Sequence, residues 1–292
     1  MAQQASGGVG RSILSGLCGL LAIVLLPVSL VAFWASVMLT RTDVFVEELK
    51  PVVRNPLVQE ALTDGIVDGV LGAVTLRPAI EKALEAPIRV EAATLVASPE
   101  VSEAWTEGIR AVHTQLIGVM EGRADTTLDG QGRVAVRLKV PVPALTSRLE
   151  QAGVRDAASI APVVTIPLAK ASDLQKAQQV YRVADAWGSW APVLVGVLAL
   201  LAVVLARRRR AATSLVAVGW IVLSLALALV IMISREPLLR PVGSDVARTI
   251  ADAAYGLAAR NLYYEIAMAI GVAAVMLLVS GLSLAFRRRR VP

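Results

Sequence analysis

Two runs of four arginines, each directly after a long apolar stretch, constrain this chain more than any other feature of its sequence. Four basic side chains at the end of an apolar helix resist translocation and stay on the cytoplasmic side of a membrane. The pattern predicts a multi-pass plasma-membrane protein whose N- and C-termini are both cytoplasmic. The residues that determine this predicted topology are Arg207, Arg208, Arg209, Arg210, Arg287, Arg288, Arg289 and Arg290.

Four stretches are long and apolar enough to predict transmembrane helices, because a hydrocarbon core of about 30 Å takes about 20 residues to cross. They comprise residues 13–39, 190–206, 211–234 and 266–286. Pro27 interrupts the first stretch, which fits a kinked or tilted helix. The mean hydropathy of +0.65 also exceeds what a soluble domain needs.

The predicted spans divide the rest of the chain into segments on the two sides of the membrane. We expect cytoplasmic segments at residues 1–12, 207–210 and 287–292. We expect an extracytoplasmic domain at 41–187 and an extracytoplasmic loop with an amphipathic helix at 235–265. Ser172 and Gln175 have the spacing of a capping box, which predicts a stalk helix over residues 172–187.

The charge distribution argues against a nucleic-acid partner. Although the pI is about 9.9, residues 41–187 hold 16 Lys and Arg against 19 Asp and Glu, a net charge of −3. The remaining residues carry a net charge of +9, and eight of those charges belong to the two arginine runs. Nucleic-acid binding needs a basic footprint on the folded domain. We therefore expect the arginines to contact the lipid bilayer and its anionic headgroups.

The first part of the extracytoplasmic domain is predicted to be helical. Asn55-Pro56 and Ser98-Pro99 are helix-start signals, and Gly122 is typical of a helix end. The helix after Pro99 carries an apolar stripe at helical spacing, which predicts its buried face. The stripe consists of Val101, Trp105, Ile109, Val112, Leu116 and Met120.

The hydrophobic period changes after this helix. Asp129-Gly130 is a hairpin-type turn, and Arg133–Val140 alternates between apolar and polar residues, which predicts a strand. Val163–Ile166 predicts a further strand. The predicted fold class is a mainly α membrane protein with four transmembrane helices. Its extracytoplasmic domain is expected to be an α-rich α+β domain with a small two- or three-stranded sheet.

Two segments carry a resemblance to a known family. Trp105–Gly122 reads WTEGIRAVHTQLIGVMEG, and Ala177–Trp190 reads AQQVYRVADAWGSW. With the four-span plan, they resemble a group of actinobacterial integral membrane proteins that have a large extracytoplasmic loop and no assigned activity. The resemblance implies a topology and a source, and it implies no chemistry.

His113 and Cys18 are the single histidine and the single cysteine of the chain. An intrachain disulfide and a cysteine-based metal site are therefore excluded. His113 lies one position off the apolar stripe and lacks a second histidine as a co-ligand, so we expect a structural residue. If His113 has a function, proton sensing suits a lone histidine better than metal binding.

Three acidic residues are the remaining candidates for a site. Asp64 and Asp68 are four residues apart, with Glu60 one turn earlier. This arrangement fits either a solvated helix face or, less well, a divalent cation site. Glu265 lies at the outer edge of the predicted fourth span. Because ionisable groups inside a membrane mark ion-coupled transport, a deeper position would favour a transporter.

No nucleophile–base set or phosphate-binding glycine loop is visible in the sequence. We therefore expect no enzymatic activity and no cofactor. The leading hypothesis is a non-enzymatic cell-envelope protein whose extracytoplasmic domain contacts an envelope protein partner or a second copy of the chain. Two alternatives stay open: a subunit of a transporter or channel, and an envelope sensor that signals through a partner.

Overall fold

The structure is a computed structural model that describes residues 6–72, 78–122, 133–139 and 163–288. It describes side chains in the ranges 10–72, 82–122, 178–179 and 181–281. In chain order the elements are α1 (Ser6–Thr40), α2 (Thr42–Leu49), a 3-10 helix (Lys50–Arg54), α3 (Pro56–Gly72), α4 (Pro78–Val96), α5 (Pro99–Met120), β1 (Arg133–Lys139), β2 (Val163–Lys170), α6 (Ala171–Trp187), α7 (Ala191–Leu205), α8 (Arg209–Leu239) and α9 (Asp245–Arg288).

The chain divides into two compact units. Unit 1 comprises Met1–Val37, Val183–Arg235 and Ala259–Pro292, and unit 2 comprises Met38–Arg182 and Glu236–Ala258.

The prediction of four transmembrane helices is wrong. Within the part of the chain that the structure describes, three helices are long and apolar enough to cross a membrane, namely α1, α8 and α9. The expected second span, residues 190–206, corresponds to α7, which forms a bent pair with the end of α6 at an angle of 56°. Helix α7 has 15 residues, about 22 Å, which falls short of the roughly 30 Å of a hydrocarbon core. Three such helices identify a multi-pass membrane protein.

The predicted α+β domain with a small sheet is also wrong. Among the residues whose side chains are described, 92% are helical and none belongs to a strand. The backbone of β1 and β2 forms an antiparallel two-stranded ribbon, with Arg133 opposite Lys170 and Lys139 opposite Val163. Two strands bury too little surface to found a domain on their own. The predicted turn at Asp129-Gly130 lies outside the described residues.

Several helix-end predictions are confirmed. Asn55 Oδ1 accepts a hydrogen bond from the Leu57 amide at 3.0 Å, and Ser98 Oγ accepts one from the Val101 amide at 3.3 Å. Both side chains satisfy amides that the first turn of a helix leaves free. Gly122 follows α5 with a φ of 73°, a left-handed conformation that glycine adopts without a Cβ clash.

Helix α1 packs against α7 and α8 inside unit 1. Ser15 Oγ donates to the carbonyl oxygen of Ala202 at 2.7 Å, and the indole Nε1 of Trp220 donates to the carbonyl oxygen of Ala22 at 3.0 Å. The Trp220 side chain is buried. At Gly188, in the turn before α7, an added Cβ would overlap Ser36 and the carbonyl oxygen of Ala32. Small residues permit such close backbone contact between membrane helices.

In unit 2, α5 packs against α2 and the 3-10 helix, and α3 packs against α4. The buried residues of α5 are His113 and Val119. Trp105, a member of the predicted stripe, is half-buried, and its Nε1 donates to the carbonyl oxygen of Leu49 at 3.1 Å. The periodicity predicted the helix, but the six residues of the stripe are half-buried, and the two fully buried residues lie beside the stripe.

Candidate functional site

His113 occupies the centre of the contact between α5 and the residues around the α1–α2 junction. Its side chain is 1% exposed. Nε2 lies 2.9 Å from the carbonyl oxygen of Met38, and Nδ1 lies 3.1 Å from Thr42 Oγ1. The ring also stacks on Phe45, with centroids 4.1 Å apart and planes 25° apart.

The hydrogen bonds of His113 identify its tautomer. Because a carbonyl oxygen only accepts, Nε2 carries the proton and donates to Met38. Nδ1 is then the acceptor for the hydroxyl of Thr42, and the neutral ring is fully satisfied. Met38 lies in the last turn of α1, where carbonyl groups lack an intrahelical partner. His113 therefore caps the end of α1 from a helix that lies 75 residues further along the chain.

Burial lowers the pKa of His113 below its ordinary value, and the hydrogen bond to the Met38 backbone acts in the opposite direction. The cause is desolvation, which disfavours the charged imidazolium. One turn earlier on α5, Arg110 forms an ion pair with Asp43 at 2.6 Å. That pair flanks the histidine on the α2 side and supplies a second polar contact between the two helices.

Asp64 and Asp68 lie on α3, next to a cationic side chain of α4. Asp64 forms an ion pair with Arg89 of α4, and Glu85 lies 3.8 Å from the same guanidinium. The carboxylates of Asp64, Glu85 and Asp68 together raise the pKa of Arg89, with the hydrogen bond to Asp64 as the largest cause. In the described ranges no group of three or more His, Cys, Asp or Glu side chains is placed to hold a metal ion. Asp64 thus pairs with a cation of α4 at the protein surface, where an ion pair contributes little to stability.

Glu265 lies within the long helix α9, in unit 1. Among the described residues, its Oε2 is buried without a hydrogen-bond partner, as is the hydroxyl of Ser224 in α8. The 21 residues from Ile266 to Phe286 contain no charged side chain. That length matches the hydrocarbon core, so Glu265 borders this apolar stretch.

A groove of about 360 Å³ opens between α3 and α4 in unit 2. Its lining consists of Ile66, Val70, Pro87, Ile88, Glu91, Ala92 and Leu95. Glu91 is the one charged residue of this lining. Asp64 and Arg89 join the two helices through their ion pair, and neither residue lines the groove.

Sequence reasoning missed both the partners of His113 and the groove. Thr42 and Phe45 carry no local signal, because their roles depend on a helix about 70 residues away. The groove depends on the pairing of two helices, and the sequence does not distinguish their groove-lining apolar residues from residues of an ordinary hydrophobic core. One feature of the sequence could have indicated that α3 and α4 pair: α4 contains one arginine, Arg89, and α3 carries several acidic residues with which it could form an ion pair.

No protein-family model matches the chain, and comparisons with curated proteins and with solved structures found no match.

Proposed function

We propose that this protein is a non-enzymatic, multi-pass membrane protein of the cell envelope that presents unit 2 to a partner. The occupant proposed for the α3–α4 groove is an amphipathic helix of an envelope protein, with an apolar stripe flanked by Lys or Arg. The groove is the observation that carries the proposal. An amphipathic helix laid into an apolar groove is a recurring mode of peptide recognition.

The chemistry of the groove supports this occupant. The lining is apolar apart from Glu91, and Val70 is 46% exposed at its edge. Around the same helix pair, Glu60, Asp68 and Glu85 are exposed, and Arg89 is held by Asp64. The groove therefore offers apolar contact beside a negative surface. Basic residues that flank the apolar stripe of a partner complement that surface.

The orientation of the chain belongs to the same proposal. We propose that the arginine runs and both termini are cytoplasmic and that residues 41–187 are extracytoplasmic. The runs at Arg207–Arg210 and after Phe286 follow apolar helices, and such basic ends resist translocation. Arg289 and Arg290 lie outside the described residues, and Arg287 and Arg288 belong to the backbone of α9.

Site-specific photocrosslinking tests the occupant of the groove. A photoreactive residue at Val70 should form a crosslink, in intact cells, to one envelope protein. The crosslinked peptide, mapped by mass spectrometry, should be amphipathic and carry Lys or Arg beside its apolar residues. Val90 is the matched control, because it is 65% exposed on α4 but does not line the groove. Ile88→Glu in the same chain should abolish the Val70 crosslink.

Three outcomes contradict this assignment of the groove. The first is equal crosslinking from Val70 and Val90, which indicates random collision. The second is a Val70 crosslink that maps to a second copy of the chain or to lipid. The third is a Val70 crosslink that Ile88→Glu leaves unchanged.

A transporter or channel subunit is the second candidate, and Glu265 is the observation that favours it. A buried carboxylate oxygen without a partner, beside an apolar span, has the character of a proton or cation site. In proteoliposomes, a pH-jump fluorescence assay on the native chain and on Glu265→Gln separates the two candidates. We expect no gradient dissipation from either chain. Dissipation that Glu265→Gln abolishes would replace the first proposal with the second.

A further inference from the structure

The start of α1 and the end of α7 meet at one end of unit 1. Arg11 Nη2 donates to the carbonyl oxygen of Val204 at 3.2 Å, one turn from the hydrogen bond between Ser15 and Ala202. Arg11 therefore lies next to the carbonyl groups of the last turn of α7. The guanidinium also lies beside the negative end of the α7 dipole.

The first of the two arginine runs, Arg207–Arg210, lies at the same end. Helix α7 ends at Leu205 and α8 begins at Arg209, so Arg207–Arg210 form the short connection and the first turn of α8. Arg207, Arg208 and Arg209 are exposed. We call Arg11 together with Arg207–Arg210 the basic end of unit 1.

In the part of the chain whose side chains the structure describes, no carboxylate neutralises the basic end. The sequence of unit 1 contains two acidic residues, Asp185 and Glu265. Glu265 lies 15 residues before Ser280 along α9, and the hydroxyl of Ser280 is 3.0 Å from that of Ser214 in α8. Asp185 precedes Gly188, which contacts Ala32 and Ser36 near the far end of α1. Among the described residues, no ion pair involves an arginine of the basic end.

Exposed apolar side chains lie directly next to the basic end. Ile13 is 66% exposed on α1, and Leu215 is 67% exposed on α8. Each lies within about two turns of an arginine of the basic end, on helices that are apolar enough to cross a membrane. A surface that changes from apolar to basic over such a distance matches the boundary between acyl chains and headgroups.

We propose that the basic end of unit 1 binds the phosphate groups of anionic phospholipid headgroups. A guanidinium presents a planar fork of donors that binds phosphate oxygens in pairs, and it stays charged at any physiological pH. Five such groups, which have no carboxylate partner among the described residues, supply the charge. The adjacent apolar side chains select a phosphate that is attached to acyl chains over a free phosphate or an acidic peptide.

Cys18 supplies the reporter for the test. Its thiol is 7% exposed on α1, so a thiol-reactive dye labels it when unit 1 opens on heating. The full-length protein in a neutral detergent receives phosphatidylglycerol, phosphatidylcholine or sodium pyrophosphate at matched phosphate concentration. We expect phosphatidylglycerol to raise the temperature of Cys18 labelling and to bind saturably, and we expect neither other compound to do so.

Variants connect the effect to the arginines. Each basic residue near an anionic surface contributes about fivefold to affinity, so Arg207→Gln with Arg208→Gln should weaken phosphatidylglycerol binding about 25-fold. Arg207→Lys with Arg208→Lys keeps the charge if the glutamine variant does not fold, and it should weaken binding less than fivefold. Arg240→Gln with Arg248→Gln is the matched control, because Glu236 already pairs with both of these arginines. This control should bind like the native chain.

The proposal is overturned if phosphatidylcholine or pyrophosphate raises the temperature of Cys18 labelling as much as phosphatidylglycerol does. It is also overturned if the control variant loses as much affinity as the variants at Arg207 and Arg208. The Val70 crosslink reports on the groove in unit 2 and does not depend on either result.

Discussion

His113 Nε2 donates a 2.9 Å hydrogen bond to the carbonyl oxygen of Met38, so a side chain of α5 caps the last turn of α1. His113→Ala removes this donor and leaves a cavity beside Phe45. We expect it to lower the free energy of unfolding of unit 2 by about 2–4 kcal/mol. Limited proteolysis of the purified protein, with cleavage mapped to α2 and α5, measures the loss.

The lowered pKa of His113 predicts acid sensitivity. In the unfolded chain the histidine binds a proton near pH 6.5, whereas in the folded protein it does so at a lower pH. The stabilisation is therefore complete above about pH 6.5 and decreases as the pH falls from there towards the folded pKa. Denaturant unfolding of unit 2, measured between pH 8 and pH 5, should show this decrease.

His113→Gln is the control for the acid effect. Its amide nitrogen can donate to Met38, but it does not titrate in this range. The difference in stability between the native chain and His113→Gln should shrink as the pH falls below about 6.5. A difference that stays constant from pH 8 to pH 5 would contradict the assignment of the acid sensitivity to His113.

Trp105 stabilises unit 2 by packing and by one hydrogen bond. Since the ring is half-buried, Trp105→Ala should cost about 2–3 kcal/mol, less than a fully buried tryptophan would. Trp105→Phe keeps most of the packing and loses the bond to Leu49, which should cost about 1 kcal/mol. Protease resistance in membranes should decrease in the order native, Trp105→Phe, Trp105→Ala. Equal resistance of all three would show that this contact does not stabilise unit 2.

Gly188 should not tolerate a side chain. A Cβ there would overlap Ser36 and the backbone oxygen atoms of Ala32 and Ala184. Gly188→Ala should destabilise unit 1 by about 1–3 kcal/mol, as overpacking does, and should lower the temperature at which Cys18 is labelled. Gly196→Ala is the matched control, since nothing lies within 4 Å of its would-be Cβ. If both variants label at the same temperature, the close approach at Gly188 does not exist in solution.

The sequence predicted local features well, because their causes are local. The caps at Asn55 and Ser98 and the end of α5 at Gly122 follow from backbone groups within a few residues. The long helix α9 was also predictable, since no breaker separates its amphipathic part from its apolar part.

The errors arise where distant residues decide the outcome. The apolar stripe through Trp105 has the period of a helix. However, α5 buries His113, because the imidazole donates a hydrogen bond to a carbonyl oxygen at the end of α1. The alternation of apolar and polar residues over Arg133–Val140 predicted a sheet domain. Such alternation indicates a strand, but it does not determine how many strands pair into one sheet. The apolar stretch 190–206 predicts a complete span, but the chain bends by 56° before Ala191 and leaves α7 with 15 residues.

The side of the membrane on which unit 2 lies is the most direct test of the account. With Cys18 replaced by Ser, single cysteines at Glu107 and at Arg209, both exposed positions, report on the two sides. In intact cells an impermeant maleimide should label the cysteine at Glu107 and should not label the cysteine at Arg209 until the membrane is opened. Labelling at Arg209 together with protection at Glu107 in intact cells would contradict the account, because unit 2 would then face the cytoplasm.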